Sequence, residues 1–121
     1  MNKYRDKSDF EINKAVAERY LPCDYRYNES DKIVELIGVD LSCEFGSSID
    51  IEKEHVYGKF DPCNNPADAM PIFIDNKMGV IFLGDLVQIS DFSGGTVNFG
   101  RNFYRTIAEL FLMMKDAENE S

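Results

Sequence analysis

The chain has 121 residues, 44% of them hydrophobic and 29% charged, with 22 acidic residues against 13 basic ones and a net charge of −9. That length suits one domain whose core needs no disulfide staples. Cations scattered among acids disfavour a phosphate-tracking face for nucleic acid, and no apolar run approaches the ~20 residues of a membrane-spanning helix.

Residues 1–7 are polar and read as a mobile leader with no apolar segment of a secretory signal, so the expected location is the cytoplasm. Ser8-Asp9-Phe10-Glu11 is a capping box. Ile12, Ala15, Val16 and Tyr20 then recur on one helical face, and Pro22 ends the helix near Leu21. Tyr25 and Tyr27 would share a face in an extended segment. Ile33 to Val39 has the β-branched content of a strand. Residues 40–54 carry a weaker signal, with 47–51 readable as a short strand or a loop. His55 to Phe60 reads as an edge strand or an extended lead into the segment that follows.

Phe60-Asp61-Pro62-Cys63-Asn64-Asn65-Pro66-Ala67-Asp68-Ala69-Met70-Pro71 is the densest local signal in the chain. Three prolines within ten residues dictate a backbone path. Asn65-Pro66-Ala67-Asp68 is a helix start, with Asn as cap, Pro at the first position and Asp facing the dipole. The helix should run to about Asp75 and kink or restart at Pro71, which lacks the N–H to continue it. Asn76 to Gly79 turn the chain. Val80 to Leu83 and Leu86 to Ser90 form a hairpin about Gly84-Asp85. Asp91 to Arg101 reads as a flexible loop around Ser93-Gly94-Gly95. Asn102 caps a last helix whose Phe103, Ile107, Leu110, Phe111 and Met114 make one apolar stripe. Residues 116–121 are polar and expected to fray. The predicted class is α+β: a small antiparallel sheet covered by N- and C-terminal helices.

Three segments resemble one known family. Ser8 to Glu18 is similar to its opening helix, Phe60 to Ala69 to its central motif, and Phe111-Leu112-Met113-Met114 to the close of its last helix. On these, about a third of the chain, the sequence resembles the NinX-like proteins of phages and prophages, grouped with the phage ABA sandwich domains. The resemblance implies that the terminal helices take opposite faces in an α–β–α sandwich. That family has no settled biochemical function, so an origin and a fold are implied rather than an activity. Where the family pattern carries a Trp, this chain has Met70, which keeps an apolar contact and loses a flat aromatic face.

Asp61, Asn64, Asn65, Asp68 and Met70 are the candidate ligand- or partner-binding residues. Amides that both donate and accept suit a recognition loop, and the same residues also suit turns and caps. No catalytic constellation stands out. His55 is the single histidine and follows the acidic Glu52-Lys53-Glu54. Cys63 has no implied base beside it. Ser93-Gly94-Gly95-Thr96 lacks the Lys and spacing of a P-loop. Cys23, Cys43 and Cys63 form no Cys-x-x-Cys pair and are expected to be reduced thiols, with no metal and no cofactor.

The leading expectation is a phage or prophage accessory protein that binds an unidentified host or phage protein. A small-molecule binder for a nucleotide-like ligand is the alternative, and would need a local positive patch from Lys59, Arg101 or Arg105. A small hydrolase built around His55 is a third reading. No membrane partner is expected. A homodimer is compatible with an unpaired edge strand or with the Phe/Met-rich terminal helix.

Overall fold

The computed structural model describes residues 2–40 and 53–119. The weak segment at 47–51 and Cys43 lie outside the described residues. The class is the expected α+β, with terminal helices laid against antiparallel strands. The strands divide between two three-stranded sheets rather than joining in one.

Helix α1 spans Asp9–Tyr20 and begins as its capping box dictates, with Ser8 Oγ accepting from the Glu11 N–H at 3.1 Å. The first sheet follows: β1 (Tyr25–Asn28), β2 (Ile33–Asp40) and β3 (Lys53–Phe60), in that order and antiparallel. Val34 pairs with both Tyr27 and Phe60, which sets these three on the face that meets α1. Tyr25 and Tyr27 do share a face, their ring centroids 5.8 Å apart. A bulge between Leu36 and Ile37 shifts the β2–β3 register.

Helix α2 (Pro66–Asp75) runs through Pro71 without the restart that was one of the two expected outcomes. Pro71 and Ala67, whose carbonyl loses its partner, are both exposed, so the unmet acceptor faces solvent. The helix ends in a Schellman arrangement: Lys77 takes a φ of 52° and the Met78 N–H reaches the Phe73 carbonyl at 3.0 Å. Strands β4 (Gly79–Leu83) and β5 (Leu86–Ser90) then form the predicted hairpin, with Gly84 at φ 66° in its two-residue turn.

The expected loop over 91–101 contains a third strand, β6 (Val97–Gly100), paired with β5. Helix α3 (Phe103–Asn119) is capped by Asn102, whose Oδ1 accepts from the Arg105 N–H. It extends through 116–119, the stretch expected to fray. Rather than a single stripe, every residue from Thr106 to Leu112 is buried. The reason is position: α3 packs against α1, α2, β5 and β6 together. Gly100 allows this closeness, because a Cβ there would lie 2.2 Å from Thr106 Oγ1.

The sequence predicts a mobile leader at 1–7, and the structure places residues 2–7 against α3. Tyr4 is buried and donates to Asp116 near the helix end, and Lys3 pairs with the same carboxylate. Burial, followed by that carboxylate, pushes the Tyr4 hydroxyl up to about 12.

Arg105 holds these parts together. Its Nε meets Glu109 at 2.7 Å, its Nη1 meets Asp9 at 2.5 Å, and its Nη2 donates to the carbonyls of Tyr4, Arg5 and Lys7. Glu109 is buried and also accepts from Asn2 and Asn98. Arg105→Ala leaves that carboxylate buried without its cation, a loss of about 3–5 kcal/mol. Arg105→Lys should recover only part, since an ammonium cannot fill the planar fork. Urea denaturation of the three proteins checks this, and a wild-type midpoint for either variant would contradict it.

Candidate functional site

The Pro-Asn connection between β3 and α2 meets the start of α1 at Asn13. This residue is buried, and it reads both sides of the motif. Its Nδ2 donates to Asp61 Oδ1 at 2.8 Å, and its Oδ1 accepts from the Cys63 N–H at 3.3 Å. Asn13 was not legible as a site residue: it sits beside Ile12 and before Val16, a polar interruption on an apolar face that reads as solvent-facing.

Four of the five sequence-chosen residues come together here. Asp61 and Asp9 share the Asn64 side chain, whose Nδ2 lies 3.1 Å from each. Asn65 caps α2 by accepting from the Ala67 N–H, and its Nδ2 donates to Asp68. Asp68 accepts the Asp61 N–H at 2.8 Å, closing the loop on itself. These polar groups are mostly spent within the fold. Met70, the fifth, is half-buried against the core instead of facing the connection.

The electrostatics follow from the bonds. Burial works to raise the Asp9 carboxyl, but hydrogen bonds from Asn64 and Arg105 outweigh it and hold the group below the usual carboxylate range. Asp68 goes the other way: burial, joined by the Asp61 charge, raises it despite the two donors it accepts from. The Cys63 thiol is fully buried, and burial together with the Asp9 charge pushes its ionisation well up, which denies it thiolate chemistry.

Beside the connection lies a cleft of about 310 Å³. Phe10, Ile33 and Phe60 form its apolar wall, and Asp9, Asp61 and Asn64 its polar side. Lys32 and Lys59 complete it, and neither makes an ion pair with another described residue. The lining carries two lysines and two aspartates, of which Asp9 is paired with Arg105. Lys32 stands over the Phe10 ring at 5.6 Å and takes a φ of 59°. That left-handed conformation costs a side-chain-bearing residue about 1–2 kcal/mol relative to its ordinary state. The volume is at the small end of ligand pockets.

The other candidates lie elsewhere. His55 faces Tyr57 edge-on, with centroids 5.0 Å apart, and takes no part in the cleft wall. In the Ser93–Thr96 loop the Gly95 N–H points to Asp91 Oδ1 and the Gly94 N–H to the Asp91 carbonyl, so no phosphate cradle forms from them. Arg101 lines a second hollow, of about 160 Å³ at the start of α3, while Arg105 is committed to the fold. Cys23 is exposed and Cys63 buried, both as free thiols. Among the described residues no three His, Cys, Asp or Glu side chains gather around a metal-sized space, and no helix is long and apolar enough to cross a membrane.

Comparison with protein-family models, with curated proteins and with solved structures gave no match.

Two outcomes follow from this geometry. Lys32→Gly relieves the left-handed strain, and a thermal melt should show stability raised by about 0.5–1 kcal/mol, less whatever the freer unfolded chain takes back. A destabilised variant would mean that the Lys32–Phe10 contact outweighs the strain. Asp9, held below its unfolded value, contributes stability that is present above the ordinary Asp range and lost as pH falls through its depressed value. Asp9→Asn should therefore flatten the drop in melting temperature below about pH 4. An unchanged acid limb would place the acid sensitivity elsewhere.

Proposed function

We propose that this chain works by binding rather than by catalysis, as an accessory protein of a phage or prophage that engages a host or phage protein in the bacterial cytoplasm. The origin rests on the resemblance of Ser8–Glu18, Phe60–Ala69 and Phe111–Met114 to NinX-like proteins. The observation that carries the binding reading is the contrast at the α1–α2 junction. Asp61, Asn64, Asn65 and Asp68 are tied to one another and to Asn13, which makes a rigid rim. Lys32 and Lys59 beside it have no ion-pair partner among the described residues, and are left to meet an acidic group from outside.

Rigidity at such a rim supports recognition, because little ordering is required when a partner arrives. The Cys63 thiol is buried with its ionisation pushed up, and the His55 ring lies edge-on to Tyr57. The cleft volume favours a second reading, in which the acidic group belongs to a small nucleotide-like molecule instead of a protein side chain.

Tagged chain recovered from infected or induced cells should carry a specific protein. A Lys32→Ala/Lys59→Ala double variant should lose it at least about tenfold, the scale of one or two charge-assisted contacts. Native mass spectrometry of the same samples distinguishes the second reading, which expects a small mass released on denaturation. Full retention by the double variant would remove the cleft from either account.

A further inference from the structure

Among the described residues two open sheets leave four strand edges, and an unpaired edge is a template for pairing with another chain. Three of the four carry a recognisable safeguard. β1 is four residues long and bears Arg26. β3 bears His55 and Lys59. β6 is covered by the leader: Arg5 Nη2 donates to the Phe99 carbonyl at 2.9 Å and Asn2 to Asn98 Oδ1.

β4 has none of these among the described residues. Its sequence is Gly79-Val80-Ile81-Phe82-Leu83, with no charge and no proline, and its register with β5 runs five pairs without a bulge. Ile81 is 54% exposed, Phe82 70%, Leu83 46% and Leu86, across the turn, 38%. Alternation sets Ile81 and Leu83 on one face and Phe82 on the other, so both sides of the edge are apolar. The terminal helix offers less apolar surface, since Thr106 to Leu112 are buried and Met113 and Met114 pack partly against the core.

We propose that β4 is the dimer seam of this protein, pairing antiparallel with β4 of a second copy about a two-fold axis at Ile81. The inference is independent of the cleft and of the binding reading above. Centring on Ile81 sets Val80 against the second copy's Phe82 and Gly79 against its Leu83, so that every pair is apolar. The exposed side chains lie on both faces of the strand, Ile81 and Leu83 on one and Phe82 on the other, so each meets an apolar neighbour across the axis. Five residue pairs joined edge to edge fall short of the ~1,000 Å² of a stable interface, which makes the dimer a weak one. The net charge of −9 does not gather at this seam: Asp85 is the one charged residue between Met78 and Ser90. Long-range repulsion between two acidic copies remains, and salt screens it.

Sedimentation of the full chain across ~1–100 µM tests the proposal, a range that brackets ordinary weak dimers. The expected species has the mass of two 13.8 kDa chains and tightens as salt rises. Ile81→Lys and Ile81→Glu each set like charges directly opposite across the axis, and each should sediment as a monomer with unchanged circular dichroism. Mixed one to one, they should recover the dimer, which a merely structural defect would not do. Should either variant misfold, Leu83→Lys with Gly79→Glu reads the same register in the mixed form. A wild-type monomer throughout, a dimer that survives Ile81→Lys, or a mixture that stays monomeric would each overturn the proposal. So would a wild-type complex that salt dissociates, which is the behaviour of a basic partner on the acidic surface.

Discussion

One guanidinium holds this small fold together. Arg105 is an α3 residue, yet it touches the leader, the start of α1 and a buried carboxylate one turn along its own helix. Each contact alone is ordinary. Their convergence is what matters, because the described strands split into two three-stranded sheets, with no single sheet among them to organise the fold. Helix α1 packs on one sheet and α3 on the other. The Arg105–Asp9 bridge, reinforced by the Val16, Ala17, Leu110 and Phe111 core, keeps the two helix–sheet units in register. A planar group with five donors suits this task better than a lysine could.

The network extends inward from there. Glu109 accepts from Arg105, Asn2 and Asn98, and Asn98 passes a further bond to the Thr106 carbonyl. Every buried side-chain polar atom among the described residues has a partner. A buried charge with one partner missing is costly, so such a network tolerates few alternatives and specifies one arrangement of strand β6, leader and helix.

Much of the fold was legible in the chain because its signals are local. Ser8 and Asn102 cap the helices they were expected to cap, and Gly84-Asp85 turns the hairpin it was expected to turn. What escaped is tertiary. Strand β6 has a buried asparagine at its second position and glycine at its end, and it is a strand because β5 and α3 receive it, not through propensity. Asn13, Arg105 and Glu109 are polar residues on apolar faces. Pattern reading sends them to solvent, and each has a bond to a distant residue: Asn13 to Asp61, Arg105 to Asp9 and Glu109 to Asn2. The motif at 60–70 was recognisable as special, but the sequence could not show that its amides donate first to its own aspartates and to Asp9.

This last point changes what a site can be in this protein. When Asp61, Asn64, Asn65 and Asp68 are tied up in holding a proline-rich turn, the groups left for recognition are those the turn positions and does not itself use. Lys59 qualifies, one residue before the motif begins, and Lys32 faces the same cleft from the β1–β2 turn. The strain at Lys32 sharpens the argument. Glycine would sit there more comfortably, and the chain instead keeps a residue with a long cationic side chain. Lys77 takes the same conformation where it ends α2, and Lys32 keeps it with its ammonium over the Phe10 ring, at the mouth of the cleft and near Lys59.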